Sequence, residues 1–79
     1  MERFGERLRD LRKGMDLTQK KLADIFQTTN SSVCDWECGR SQPDLETLVA
    51  LADFFDVTTD YLLGREDEIG EKLKKNYKK

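Results

Sequence analysis

Seventy-nine residues, 37% hydrophobic and 38% charged, make one small domain with a thin core and a heavily charged surface. Histidine is absent and there are two cysteines, which excludes a four-ligand Cys/His zinc site within one chain and any catalysis by histidine or a Cys–His pair. The net charge of −2 is unevenly laid out: residues 1–21 hold seven basic and four acidic groups, 22–40 one and three, 41–68 one and eight, and 69–79 five and one.

Helical periodicity runs through the chain. Phe4, Leu8, Leu11 and Met15 recur at i, i+4, i+7 and i+11, the stripe of an amphipathic helix that ends near Lys13, before Gly14. Leu17-Thr18-Gln19 opens a second helix, with Thr18 as N-cap and Leu22, Ala23 and Phe26 on the buried face. Gln27-Thr28-Thr29 breaks it. Thr29 is the N-cap of a third helix that contains Ser32, Val33 and Trp36 and stops at Gly39. Arg40-Ser41-Gln42-Pro43 is a loop, and Asp44 caps a fourth helix with Leu45, Leu48, Leu51, Ala52 and Phe55 as its stripe. Val57 then serves as a hydrophobic staple and Thr58 as N-cap for a short last helix, Tyr61-Leu62-Leu63, closed by Gly64. No alternating strand pattern competes, so the expected fold class is all-α. Two helices joined by a three- or four-residue break within such a bundle form a helix-turn-helix arrangement.

The ordered run Arg7-Leu8-Arg9-Asp10-Leu11-Arg12, Leu17-Thr18-Gln19 with Leu22-Ala23, Val33 with Trp36-Glu37, Gly39-Arg40 and Pro43, Leu48 with Leu51-Ala52, and Val57 with Asp60-Tyr61-Leu62-Leu63-Gly64 resembles the Cro/cI-type (XRE) helix-turn-helix family. The resemblance covers about residues 3–65 and implies a compact five-helix, phage-repressor-like domain over residues 1–65; beyond it the sequence changes character, and residues 66–79 read as a charged C-terminal extension. The resemblance implies that Gln19 opens the second helix and touches a DNA phosphate. It also implies that Thr29, Asn30, Ser31, Cys34 and Asp35 face the groove and contact bases. By the same resemblance, Trp36 is expected to pack beneath and touch the DNA backbone, and Arg40, Ser41 and Gln42 to meet the phosphates of the other strand. The resemblance further implies that Arg12 and Glu37 form an internal ion pair tying the first helix to the third. The sequence departs from the family pattern at Gln27, where glycine is usual at a turn position favouring positive φ, and at Thr28, where an apolar residue is usual. The third helix carries Asp35 and Glu37 and no basic residue.

The chemistry of these side chains agrees with base reading. Asn contacts adenine N6 and N7 together, Asp accepts from cytosine N4, and a helix N-terminus favours nearby phosphate. The expected function is therefore sequence-specific binding of double-stranded DNA by a homodimeric transcriptional regulator, a repressor, acting on an inverted repeat. The alternative is a protein-interaction module such as an antitoxin, with weak or secondary DNA binding, favoured by the acidic body and the acidic third helix. No acid–base or nucleophile constellation points to an enzyme, and no cofactor, metal or small-molecule ligand is expected.

No apolar run approaches the roughly 20 residues of a bilayer span. Met1 to Asp10 has no apolar signal core, so the expected location is the cytoplasm and no membrane contact is expected. Cys34 and Cys38, four apart on one helix, read first as free thiols, with a redox switch as the alternative. In the tail, Ile69, Leu73 and Tyr77 share a helical spacing, with Glu66, Asp67, Glu68 and Glu71 ahead of Lys72, Lys74, Lys75, Lys78 and Lys79. That charge order suits the helix dipole. Val49, Phe54, Tyr61 and Leu63 add apolar surface in the fourth and fifth helices, the expected dimer interface.

Overall fold

Capping side chains set where the helices begin. The computed structural model describes residues 2–65; the expectations for the tail, 66–79, lie outside the described residues. Among the described residues five helices run in order: α1 (Glu2–Gly14), α2 (Gln19–Ile25), α3 (Asn30–Cys38), α4 (Leu45–Phe55) and α5 (Thr59–Leu62). No strand occurs among the described residues. Thr18 accepts a hydrogen bond from the Lys21 N–H at 3.0 Å, Thr29 from Ser32 at 3.0 Å, Asp44 from Thr47 at 2.8 Å and Thr58 from Tyr61 at 2.9 Å. Each bond satisfies one of the donors that a helix start leaves without an intrahelical partner. The chain leaves α3 through Gly39, whose φ of +83° lies in the left-handed region that glycine enters at no steric cost. Asp56 performs the same turn after α4 with φ +58°, a conformation that short polar side chains tolerate.

The core joins all five helices. Phe4 and Leu8 come from α1, Leu22 and Ala23 from α2, Val33 and Trp36 from α3, Leu48, Leu51, Ala52 and Phe55 from α4, and Leu62 from α5. Full burial of a Leu or Phe side chain is worth roughly 1.5–3 kcal/mol, so this small cluster provides most of the driving force for folding. Leu11, Phe26 and Val57 are partly buried against its edge.

Two members of the expected stripes fall outside the core. Met15 is 50% exposed and Leu45 80% exposed. Met15 lies past the end of α1, where the chain turns through Asp16 with φ +58°. Leu45 is the first residue of α4, before that helix has met its neighbours. The expected dimer surface is also partly used within the chain. Phe54 packs edge-on against Phe26 and Phe55, with ring centroids 5.5 and 4.9 Å away. Tyr61 is covered by the Arg7 guanidinium, 4.2 Å from its ring centre. Val49 remains half exposed.

Candidate nucleic-acid interface

The turn between α2 and α3 sets how α3 is presented. Phe26 ends α2, and Gln27 turns the chain with φ +57°, the left-handed conformation in which glycine is usual. Thr29 then starts α3. Its hydroxyl accepts the Ser32 N–H and donates to the Ser32 Oγ, both at 3.0 Å. The hydroxyl proton and one lone pair of Thr29 are thus spent on the cap.

Asn30 and Ser31 follow in the first turn, and both are exposed. One turn later Cys34 and Asp35 are half-buried on the flank of the same helix. Val33, Trp36 and Glu37 face inward. Trp36 is only 7% exposed and belongs to the core, where its indole supports the helix from beneath as expected. Cys34 and Cys38 are free thiols with Sγ atoms 3.8 Å apart. Hydrogen bonding to Cys38, followed by its charge, pushes the Cys34 thiol above its ordinary value.

Arg40, Ser41 and Gln42 are exposed on the loop after α3. Arg40 Nη1 lies 3.5 Å from Asp35 Oδ1. The backbone N–H groups of Arg40 and Ser41 donate to the Asp35 carbonyl at 2.9 and 3.4 Å, which folds the loop back onto the end of the helix. Sequence spacing gave no sign that Asp35 and Arg40, expected to meet different parts of the duplex, would neutralise each other.

Beneath this surface lies a buried polar network. Arg12 donates from Nε to Glu37 Oε2 at 2.6 Å and from Nη2 to Oε1 at 3.1 Å; its Nη1 donates to the Leu17 carbonyl at 2.8 Å. Gln19 Nε2 donates to Glu37 Oε1 at 3.0 Å, and Arg9 Nε stands 3.6 Å from the same oxygen. One carboxylate therefore fixes α1, α2 and α3 together. The amide of Gln19, the residue expected against a phosphate, is held from inside by Glu37. Arg9, part of the family motif, has no role assigned from sequence because nothing local marks it out from the other basic residues of α1. Gly5 was missed as well. A Cβ there would collide with the Glu37 carbonyl oxygen and lie 2.9 Å from that of Trp36, so glycine lets α1 cross the back of α3 at close range.

An exposed polar helix start is thus mounted on a rigid support, with a cation at the far end of the helix. Residues 8–62 match the helix-turn-helix family model, more than half of the chain. The chain belongs to this family, the Cro/cI-type (XRE) helix-turn-helix proteins. Its members are DNA-binding transcriptional regulators rather than enzymes. The XRE-type chain is 39% identical to the transcriptional activator BcrR of Enterococcus faecalis, over 84% of its own length and 32% of that protein. It is 37% identical to the transcriptional regulator ImmR of Bacillus subtilis (strain 168), over 87% of its length and 54% of that protein. It therefore spans about a third to a half of these relatives. A solved structure of the P22 c2 repressor in complex with a synthetic operator superposes with a TM-score of 0.70 at 32% identity, covering 75% of this chain and 89% of that one. The five-helix, all-α fold is thus the phage-repressor fold. No helix among the described residues is long and apolar enough to cross a membrane.

Proposed function

We propose that this chain binds double-stranded DNA sequence-specifically as a two-fold homodimer on an inverted repeat and represses transcription from it. The observation that carries the reading is the exposed first turn of α3, where Asn30 and Ser31 stand clear of the core on a helix held from beneath by the Arg12–Glu37 pair. Short polar side chains at a helix start fit base edges in the major groove. Arg40 and the exposed Ser41 and Gln42 at the other end of α3 suit phosphates, which position the protein without specifying sequence. The likeness to a repressor in complex with operator DNA supports the same placement.

The alternative, an interaction module of the antitoxin kind, draws on the acidic body and on the acidic character of α3. Both acids on that helix are matched by cations of the chain itself, Glu37 by Arg12 and Asp35 by Arg40. The groove-facing turn therefore carries little net negative charge, and of the two supports for the alternative only the acidic body over residues 41–68 remains.

Selection of bound sites from a random duplex pool tests the proposal. The expected result is enrichment of an inverted repeat with half-sites spaced by about 10–10.5 bp or a multiple of it. A pool that remains random through successive rounds would contradict it.

A further inference from the structure

Cys34 and Cys38 occupy successive turns of α3, half-buried and exposed respectively, with their Sγ atoms 3.8 Å apart. Two reactions of such a pair make opposite demands on the helix. A disulfide needs its Cβ atoms about 3.5–4.5 Å apart, whereas residues four apart on a helix hold theirs about 5–6 Å apart. Closing that bond would distort α3. A single bridging ion makes no such demand. Two sulfurs bound at about 2.3 Å to one tetrahedral ion lie about 3.8 Å from each other, which is the separation already present.

We propose that Cys34 and Cys38 form a chelating site for a thiophilic divalent d10 cation, of the zinc and cadmium class, on the DNA-reading face of α3. Each thiol releases its proton to water, and the two thiolates form two sulfur–metal bonds. Two negative charges meet two positive ones, so the complex adds no net charge, and water fills the remaining two positions. Thiolate ligands select soft and borderline ions over magnesium or calcium. Two protein ligands make a reversible site rather than a structural one. Among the described residues no group of three or more His, Cys, Asp or Glu completes it.

The position gives the site a consequence, which rests on the DNA-binding reading above. Asn30, Cys34 and Cys38 are spaced by four and so form one row along the helix. A hydrated ion on the two sulfurs stands in the same row, beyond Asn30, on the side of the helix that the duplex must approach. Binding of the ion therefore lowers affinity for DNA.

The test uses the full chain, reduced beforehand and titrated with cadmium chloride. The ultraviolet thiolate-to-cadmium charge-transfer band should saturate at one ion per chain and disappear in Cys38→Ser. Cys38 is exposed, so serine leaves the packing intact. In parallel, cadmium should weaken DNA binding by about tenfold, the loss of one good base contact, and a chelator should restore it. Cys38→Ser should bind DNA like the unmodified chain and ignore cadmium. A missing band, or an equal one in Cys38→Ser, overturns the site. Unchanged DNA binding with the site saturated overturns its effect. Because the band is read without DNA, failure of the DNA-binding reading is distinguishable from failure of the site.

Discussion

Arg12 and Glu37, 25 residues apart, face each other through two hydrogen bonds of 2.6 and 3.1 Å, with the Glu37 side chain wholly buried and that of Arg12 10% exposed. A buried pair of this kind adds little net stability, because desolvation offsets much of the attraction, but losing one partner strands a charge. Arg12→Ala should therefore cost roughly 3–5 kcal/mol and lower the melting midpoint by more than about 10 °C. Replacing Arg12 and Glu37 together by hydrophobic residues of similar volume should cost much less than the single change. A single mutant that melts within a degree or two of the unmodified chain would show that the pair does not hold the helices.

Gly5 and Gly14 lie on the same helix and should respond oppositely to alanine. In both, alanine gains up to about 1 kcal/mol in helix propensity. At Gly5 the new methyl meets the backbone carbonyls of Trp36 and Glu37, which cannot move aside without shifting α3. Gly5→Ala should lose roughly 1–3 kcal/mol net. At Gly14 nothing lies within 4 Å of the added carbon, so Gly14→Ala should be neutral or stabilising. Thermal melts of the two variants decide it, and equal midpoints would count against the close crossing of α1 and α3.

Asp44 carries a pH dependence with a definite sign. Hydrogen bonds from the Thr47 hydroxyl and then its backbone N–H hold this carboxyl below its ordinary value of 3.8. A carboxylate depressed in the folded state contributes stability above its unfolded pKa and loses it as pH falls through the lower folded value. The cap should therefore weaken as pH drops below about 3.8 and be lost once pH passes the depressed value. Asp44→Asn keeps an acceptor that does not titrate. Its melting midpoint should fall less steeply than that of the unmodified chain in this acid range, and parallel curves would show that the cap contributes nothing.

Much of the fold was legible because its signals are local. Thr18, Thr29, Asp44 and Thr58 cap the helices they precede, and Gly39 supplies the positive φ that ends α3. Gln27 adopts the left-handed turn that glycine usually fills, so the position could be read although the residue departs from the pattern. Periodicity misjudged Met15 and Leu45, since a repeat of three and four cannot tell where a helix leaves its partners. Gly5, Arg9 and the Asp35–Arg40 contact were hidden for a different reason: each takes its meaning from how elements or chain ends meet in space. The same holds for the hydrogen bond from Gln19 to Glu37, which no spacing along α2 announces.

The central claim is that the first turn of α3 reads bases while Arg40 holds the backbone. The most direct measurement compares affinities for a selected duplex site and for random DNA in Asn30→Ala, Ser31→Ala and Arg40→Ala. The account predicts that the first two weaken the selected site by roughly 1–3 kcal/mol each and leave random DNA nearly unchanged. Arg40→Ala should weaken both about equally. If all three variants lose the same amount on both kinds of DNA, α3 is not the reading helix and the account is wrong.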